Sequence, residues 1–120
     1  IPFLMDKEKL TVEEINKMIY EESGFLGLSE GISSDKRDLR ERANQGDERA
    51  IRTISAFTYG IKKYIGAYAA AMGGVDAIVF TAGIGENSKE TRAEACEGLE
   101  FLGVIILSSC IGFFKISAAL

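Results

Sequence analysis

The residues best suited to chemistry lie in one short run, Phe80-Thr81-Ala82-Gly83-Ile84-Gly85-Glu86-Asn87-Ser88. Gly83 and Gly85 lack a Cβ, so the backbone there is free to turn sharply and approach a ligand closely. A helix starting after them would aim unpaired N–H groups and the positive end of its dipole at an anion. A nucleotide phosphate is the usual occupant of such a corner. The plainer reading is a tight strand-to-helix connection that binds nothing. The run is not a dinucleotide fingerprint, because Ser88 stands where a third glycine belongs. It also lacks the Gly-Lys-Ser/Thr ending of a Walker phosphate loop. Glu86 would repel a phosphate unless it faces away or approaches through Mg²⁺. Asn87 reads first as a helix cap and second as a cap that also donates to a ligand.

A second candidate is Ser33-Ser34-Asp35-Lys36-Arg37. An Asp two residues before an Arg can offer a carboxylate to hydroxyls and a planar cation for stacking or phosphate. The plainer alternative is a serine-capped, charged first turn of a surface helix. Tyr59, Tyr64 and Tyr68 share one long helix; Tyr68 continues its apolar stripe and reads as core, the other two as its edges. Cys96 lies too far along its helix for a lowered thiol pKa. The chain has no histidine, which excludes a Ser-His or Cys-His nucleophile and a histidine-ligated metal within it. Cys96 and Cys110 have no metal-like spacing; as free thiols they fit a reducing compartment, hence a cytoplasmic expectation.

The elements that must position these residues follow from periodicity. Thr11 with Glu14 three residues on makes a capping-box pattern, and Val12, Ile15, Met18 and Ile19 predict a helix over about 12–22. Residues 24–34 read as an ordered loop, and residues 35–45 as a short charged helix stopped by Gly46. Asp47 is placed to cap the longest helix, about 48–72, with a stripe of Ile51, Ile54, Phe57, Thr58, Ile61, Ile65, Tyr68, Ala69 and Met72. Gly60 and Gly66 within it suggest close packing. Asp76 to Thr81 predicts a buried strand bounded by glycines. After the AGIGEN turn, a helix over about 88–101 is expected, capped by Asn87 with Glu90 in the box position. Val104-Ile105-Ile106 is a second strand candidate. The order helix, helix, strand, helix, strand suggests an α/β layered domain.

Composition is that of an ordinary globular domain: 47% apolar, 27% charged, net charge −4 over 120 residues. No block of like charge suggests a nucleic-acid surface. Ile1 to Met5 is too short for a secretory signal, and the first residue is not Met, so a piece of something longer is expected. Residues 104–120 carry one charge, Lys115. They make a marginal membrane span at best; an aberrant C-terminus or a buried strand pair is the better expectation.

FTAGIGENS, with Arg92 four residues beyond Ser88, resembles a signature of the acetate kinase family, which includes propionate and butyrate kinases. SGFLGLSEGISSDKRDL resembles the same family's upstream loop, and IPFLM, KEKLTVEEI and the long helix to Gly74 follow in family order. The similarity covers residues 1–107; residues 108–120 form an atypical apolar tail. The resemblance implies part of a C-terminal domain with a ribonuclease H-like, actin-like ATPase fold, as in sugar kinases. It implies ATP or ADP against Gly83, Ile84, Gly85, Glu86 and Asn87, with Asp35, Lys36 and Arg37 near ribose and base. It further implies Mg²⁺, a short-chain carboxylate substrate and a homodimer in the full enzyme. The family's catalytic arginines, its histidine and its Mg²⁺ ligands match no position here, so the 120 residues are expected to be inactive alone.

Overall fold

A computed structural model describes residues 1–104 and the backbone of residues 113–115. The chain forms two compact units, residues 1–56 and 57–120, with the boundary inside one long helix. Each unit is built around its own small core.

In the first unit, α1 (Pro2–Glu8) starts with proline where no helical N–H is needed, and Lys9 closes it in a left-handed conformation at φ 56°. The expected capping box starts α2 (Val12–Glu21): Glu14 N donates to Thr11 Oγ1 at 3.2 Å and Thr11 N to Glu14 Oε2 at 2.8 Å. Of the predicted apolar face of α2, only Ile15 is fully buried, while Val12 and Ile19 are exposed. The segment expected to be an ordered loop opens with a short helix, α3 (Gly24–Leu28). Ser29 then ties the loop together, donating to Leu26 O and accepting from Ser33 N.

The charged helix forms as α4 (Lys36–Asn44), but its cap is Asp35, which accepts from Arg37 N, and not a serine. Asp47 Oδ1 accepts from Arg49 N at 3.0 Å at the head of α5 (Glu48–Met72), as its position predicts. Leu39, Ala50 and Ile54 make the core of this unit, with Phe25, Ile32 and Ala43 packed on them.

The stripe on α5 is narrower than its sequence suggests. Ile54, Thr58 and Ala69 are buried, but Ile51, Tyr68 and Met72 are exposed, and Ala50 and Thr53 are buried instead. Thr53 can be buried because its Oγ1 donates to Arg49 O at 2.7 Å. Tyr59, Tyr64 and Tyr68 are all exposed, so Tyr68 is not core; its ring stacks on Tyr64 with centroids 6.3 Å apart.

In the second unit the predicted strand shortens to β1 (Ala77–Val79). It alternates rather than being buried throughout: Ile78 points inward while Val79 is 54% exposed. It pairs antiparallel with β2 (Phe113–Lys115), Ile78 opposite Phe114. The partner strand thus comes from the apolar tail. Val104 is buried, and the remainder of the strand expected at 104–106 falls outside the described residues, as does Cys110.

Between the strands lie α6 (Ala82–Asn87) and α7 (Lys89–Cys96), then a 3₁₀ turn at Glu100–Leu102. The helix expected over 88–101 therefore stops at Cys96. Gly98 and Gly103, both left-handed, bracket the turn. Ile78, Cys96, Leu99 and Val104 form the core, covered by Ile65, Val75, Phe80 and Leu102. The α/β expectation holds in part: the described residues are mostly helical, with one two-stranded antiparallel pair. Among them no helix is long and apolar enough to cross a membrane.

Candidate functional site

The AGIGEN segment is not the glycine turn that its spacing predicts. Thr81 is extended, and α6 begins at Ala82, ahead of both glycines. The sharp change of direction falls on Ala82, a non-glycine residue at φ 60°. That conformation costs an L-residue about 1–2 kcal/mol, so neighbouring contacts must hold it. Gly83 and Gly85 have no positive φ and sit within the helix.

Their lack of a side chain serves two different ends. A Cβ on Gly85 would lie 3.1 Å from the carbonyl carbon of Phe80, tighter than an ordinary contact. Gly85 is therefore small because β1's exit packs against it. A Cβ on Gly83 would meet nothing within 4 Å among the described residues. Ile84, 38% exposed, lies next to it, and Glu86 and Asn87 are exposed as well. Gly83 thus leaves a side-chain-free, open position on α6, followed by the exposed apolar side chain of Ile84.

The carbonyls of α6 are already occupied. Asn87 Nδ2 donates to Gly83 O at 2.9 Å, and Ser88 N to Ile84 O at 3.1 Å. Arg92 Nη1 donates to Gly85 O at 2.9 Å and to Glu86 O at 2.8 Å. Asn87 thus closes α6 instead of capping α7. The cap of α7 is Ser88, whose Oγ accepts from Thr91 N at 3.3 Å. Arg92 is only 8% exposed. Its place in the motif was visible in the sequence, but its two carbonyl contacts were not, since they require α6 and α7 to meet at a fixed angle.

Asp35 and Arg37 come together as one unit. Arg37 Nη2 donates to Asp35 Oδ2 at 2.6 Å and Nε to Oδ1 at 3.1 Å, while Arg37 N donates to Oδ1 at 2.7 Å. The guanidinium hydrogen bonds, then the backbone N–H of Arg37, bring the Asp35 pKa down from 3.8 to about 2. The same pairing raises the Arg37 pKa. The Arg37 side chain is 90% exposed, so its planar face is open to stacking. Behind the pair, Ser33 Oγ accepts from Asp35 N at 2.9 Å and donates to Asp38 Oδ2 at 2.8 Å, which fixes the cap. Lys36, between the two, is buried and does not share their solvent-facing surface. This triplet belongs to the first unit and the AGIGEN segment to the second.

Among the described residues no group of three His, Cys, Asp or Glu side chains is arranged to hold a metal ion. Burial raises the Cys96 thiol pKa, with Lys62 opposing the effect, and at 1% exposure the thiol is a packing group.

The sequence profile of the acetokinase family matches residues 1–110. Acetate kinase of Heliobacterium modesticaldum is 58% identical over 104 residues, covering 87% of this chain and 26% of the relative. That of Desulforamulus reducens is 57% identical over 106 residues, covering 88% and 26%. The chain thus spans about a quarter of the length of these curated relatives. The crystal structure of Porphyromonas gingivalis acetate kinase superposes with a TM-score of 0.81 at 48% identity, over 89% of this chain and 27% of that one. A propionate kinase from Francisella tularensis subsp. tularensis SCHU S4 gives 0.78 at 32% identity, over 89% and 27%.

Proposed function

The chain belongs to the acetokinase family, and from that premise we propose that it is the nucleotide-binding portion of an acetate kinase. The parent enzyme would transfer phosphate between ATP and acetate to give acetyl phosphate. Residues 1–107 would form part of its C-terminal domain, of ribonuclease H-like, actin-like ATPase fold, and residues 108–120 an atypical tail.

The observation that carries the reading is the open space that the described residues leave over Gly83. Gly83, Ile84, Gly85, Glu86 and Asn87 would present a backbone surface to the adenosine of ATP or ADP. Asp35 would offer its ionised carboxylate to ribose hydroxyls, and Arg37 its exposed plane to the base. Lys36 belongs to the same step of the family motif; its burial favours support of the turn over direct contact.

Phosphoryl transfer relies on positioning and on neutralising charge on the moving group. The residues for that work, with the Mg²⁺ ligands, are proposed to lie in the parent outside these 120 residues. The chain alone would then bind nucleotide without turning it over. A propionate-directed parent is the second reading, favoured by the superposition on a propionate kinase; butyrate, and a non-catalytic nucleotide-binding or dimerisation module, are related alternatives. A homodimeric, cytoplasmic parent fits the family.

Titration of the full chain with ADP in a calorimeter tests the site. Saturable heat that Gly83→Leu abolishes, with the circular-dichroism spectrum unchanged, is the expected result. Absence of binding by the well-folded wild-type chain would end the proposal. Acyl-phosphate formation from ATP and acetate by the pure chain would contradict its predicted inactivity.

A further inference from the structure

We infer that Arg92 is a positioning residue of the nucleotide site, an inference that rests on the nucleotide reading of the Gly83–Asn87 segment. Its guanidinium binds the protein's own backbone in the C-terminal half of α6. A six-residue helix has too few internal hydrogen bonds to be stable by itself. This one also starts from a strained residue, Ala82 at φ 60°, and contains two glycines. Its shape must therefore be imposed from outside.

Two contacts impose it. On one side Gly85 sits against Phe80, where β1 exits. On the other, Nη1 of Arg92 reaches back from α7 to Gly85 O and Glu86 O. A buried cation at the C-terminal end of a helix also complements the negative end of its dipole. Because both carbonyls are engaged, neither turns outward toward the ligand face, where it would repel phosphate oxygens. The backbone around Gly83 thereby keeps its helical course, and the space beside it stays open.

The role predicts a specific pattern of loss. Arg92→Met keeps length and apolar bulk but removes the donors and the charge. Arg92→Lys keeps the charge and one donor group. Arg52→Met, which breaks the exposed Arg52–Glu30 pair in the other unit, serves as control.

In the full chain, amide hydrogen exchange over residues 83–88 should accelerate in Arg92→Met, and the ADP dissociation constant should rise about tenfold, the effect of losing charge-assisted hydrogen bonds. Arg92→Lys should recover part of both, and Arg52→Met should match wild type. Arg92→Met that folds, shows wild-type exchange over 83–88 or binds ADP as wild type does, overturns the inference. If Arg92→Met does not fold, Arg92→Lys decides: intermediate exchange with weakened ADP binding supports the role, and wild-type values for either overturn it. A purely structural arginine would lower the urea midpoint while leaving ADP affinity unchanged in the folded protein. Failure of the wild-type chain itself to bind ADP is a separate outcome, which removes the nucleotide reading and this role with it.

Discussion

Gly83 and Gly85 are two residues apart in one short helix, yet replacing each by alanine should have opposite consequences. Alanine in a helix gains about 1 kcal/mol over glycine, chiefly through the smaller entropy lost on folding. Neither position has the positive φ that would penalise a side chain. At Gly83 the new methyl meets nothing within 4 Å among the described residues. Gly83→Ala should therefore stabilise the chain by about 0.5–1 kcal/mol.

At Gly85 the methyl would press 3.1 Å from Phe80 C, 3.4 Å from its Cβ and 3.5 Å from its Cα. The nearest of these atoms is backbone, which cannot swing aside as a side chain does. Overpacking of this kind costs about 1–3 kcal/mol, so the helical gain is cancelled or exceeded. The two variants should differ by about 2 kcal/mol, or about 1 M in urea midpoint for a protein of this size. Urea unfolding followed by far-ultraviolet circular dichroism measures that difference. ADP calorimetry adds the second half: Gly83→Ala should bind ADP more weakly while being the more stable protein. Equal midpoints for the two variants would refute the packing role of Gly85. A Gly83→Ala protein that is both more stable and undiminished in ADP affinity would refute the idea that a ligand needs that space.

Three further outcomes are expected. Asp35 titrates at about 2 against 3.8 when unfolded, so its stabilising contribution is complete above the unfolded value and disappears as pH falls through the folded one; carboxyl NMR should show this, and Arg37→Ala should raise the midpoint toward 3.8. Ser88→Ala should lower stability by about 1 kcal/mol through loss of the α7 cap, and Asn87→Ala by less, since Asn87 is exposed and gives up a single bond to Gly83 O; urea midpoints in the reverse order would contradict the assignment of the caps. In a Cys110→Ser chain, Cys96 should react with a thiol reagent only as the protein opens, because it is 1% exposed and burial raises its pKa; immediate reaction without denaturant would contradict its burial.

Local chemistry was legible in the sequence at the starts of α2 and α5, but not at those of α4 and α7, where Asp35 stands in for the expected serine and Ser88 for the expected Asn87. Thr11 and Glu14 close their box because three residues is the span of one helical turn. The long α5 and its start after Asp47 follow from period and cap in the same way. The quoted motifs likewise sufficed to recognise the acetokinase family.

Tertiary structure decided what depends on contacts between segments. Tyr68 fits the period of its helix, yet the period says only which residues share a face, not what covers it, and Tyr68 is exposed. The strand at 77–79 takes its partner from residues 113–115, a pairing that no local pattern encodes. The two glycines of AGIGEN look alike on paper; only the approach of Phe80 to one of them separates their tasks. Ala82 holds a positive φ that its own preferences oppose, and Arg92 finds its carbonyls because α7 folds back on α6. Sequence thus determined the pieces whose energies are local, and the fold determined those whose stability comes from a partner distant along the chain.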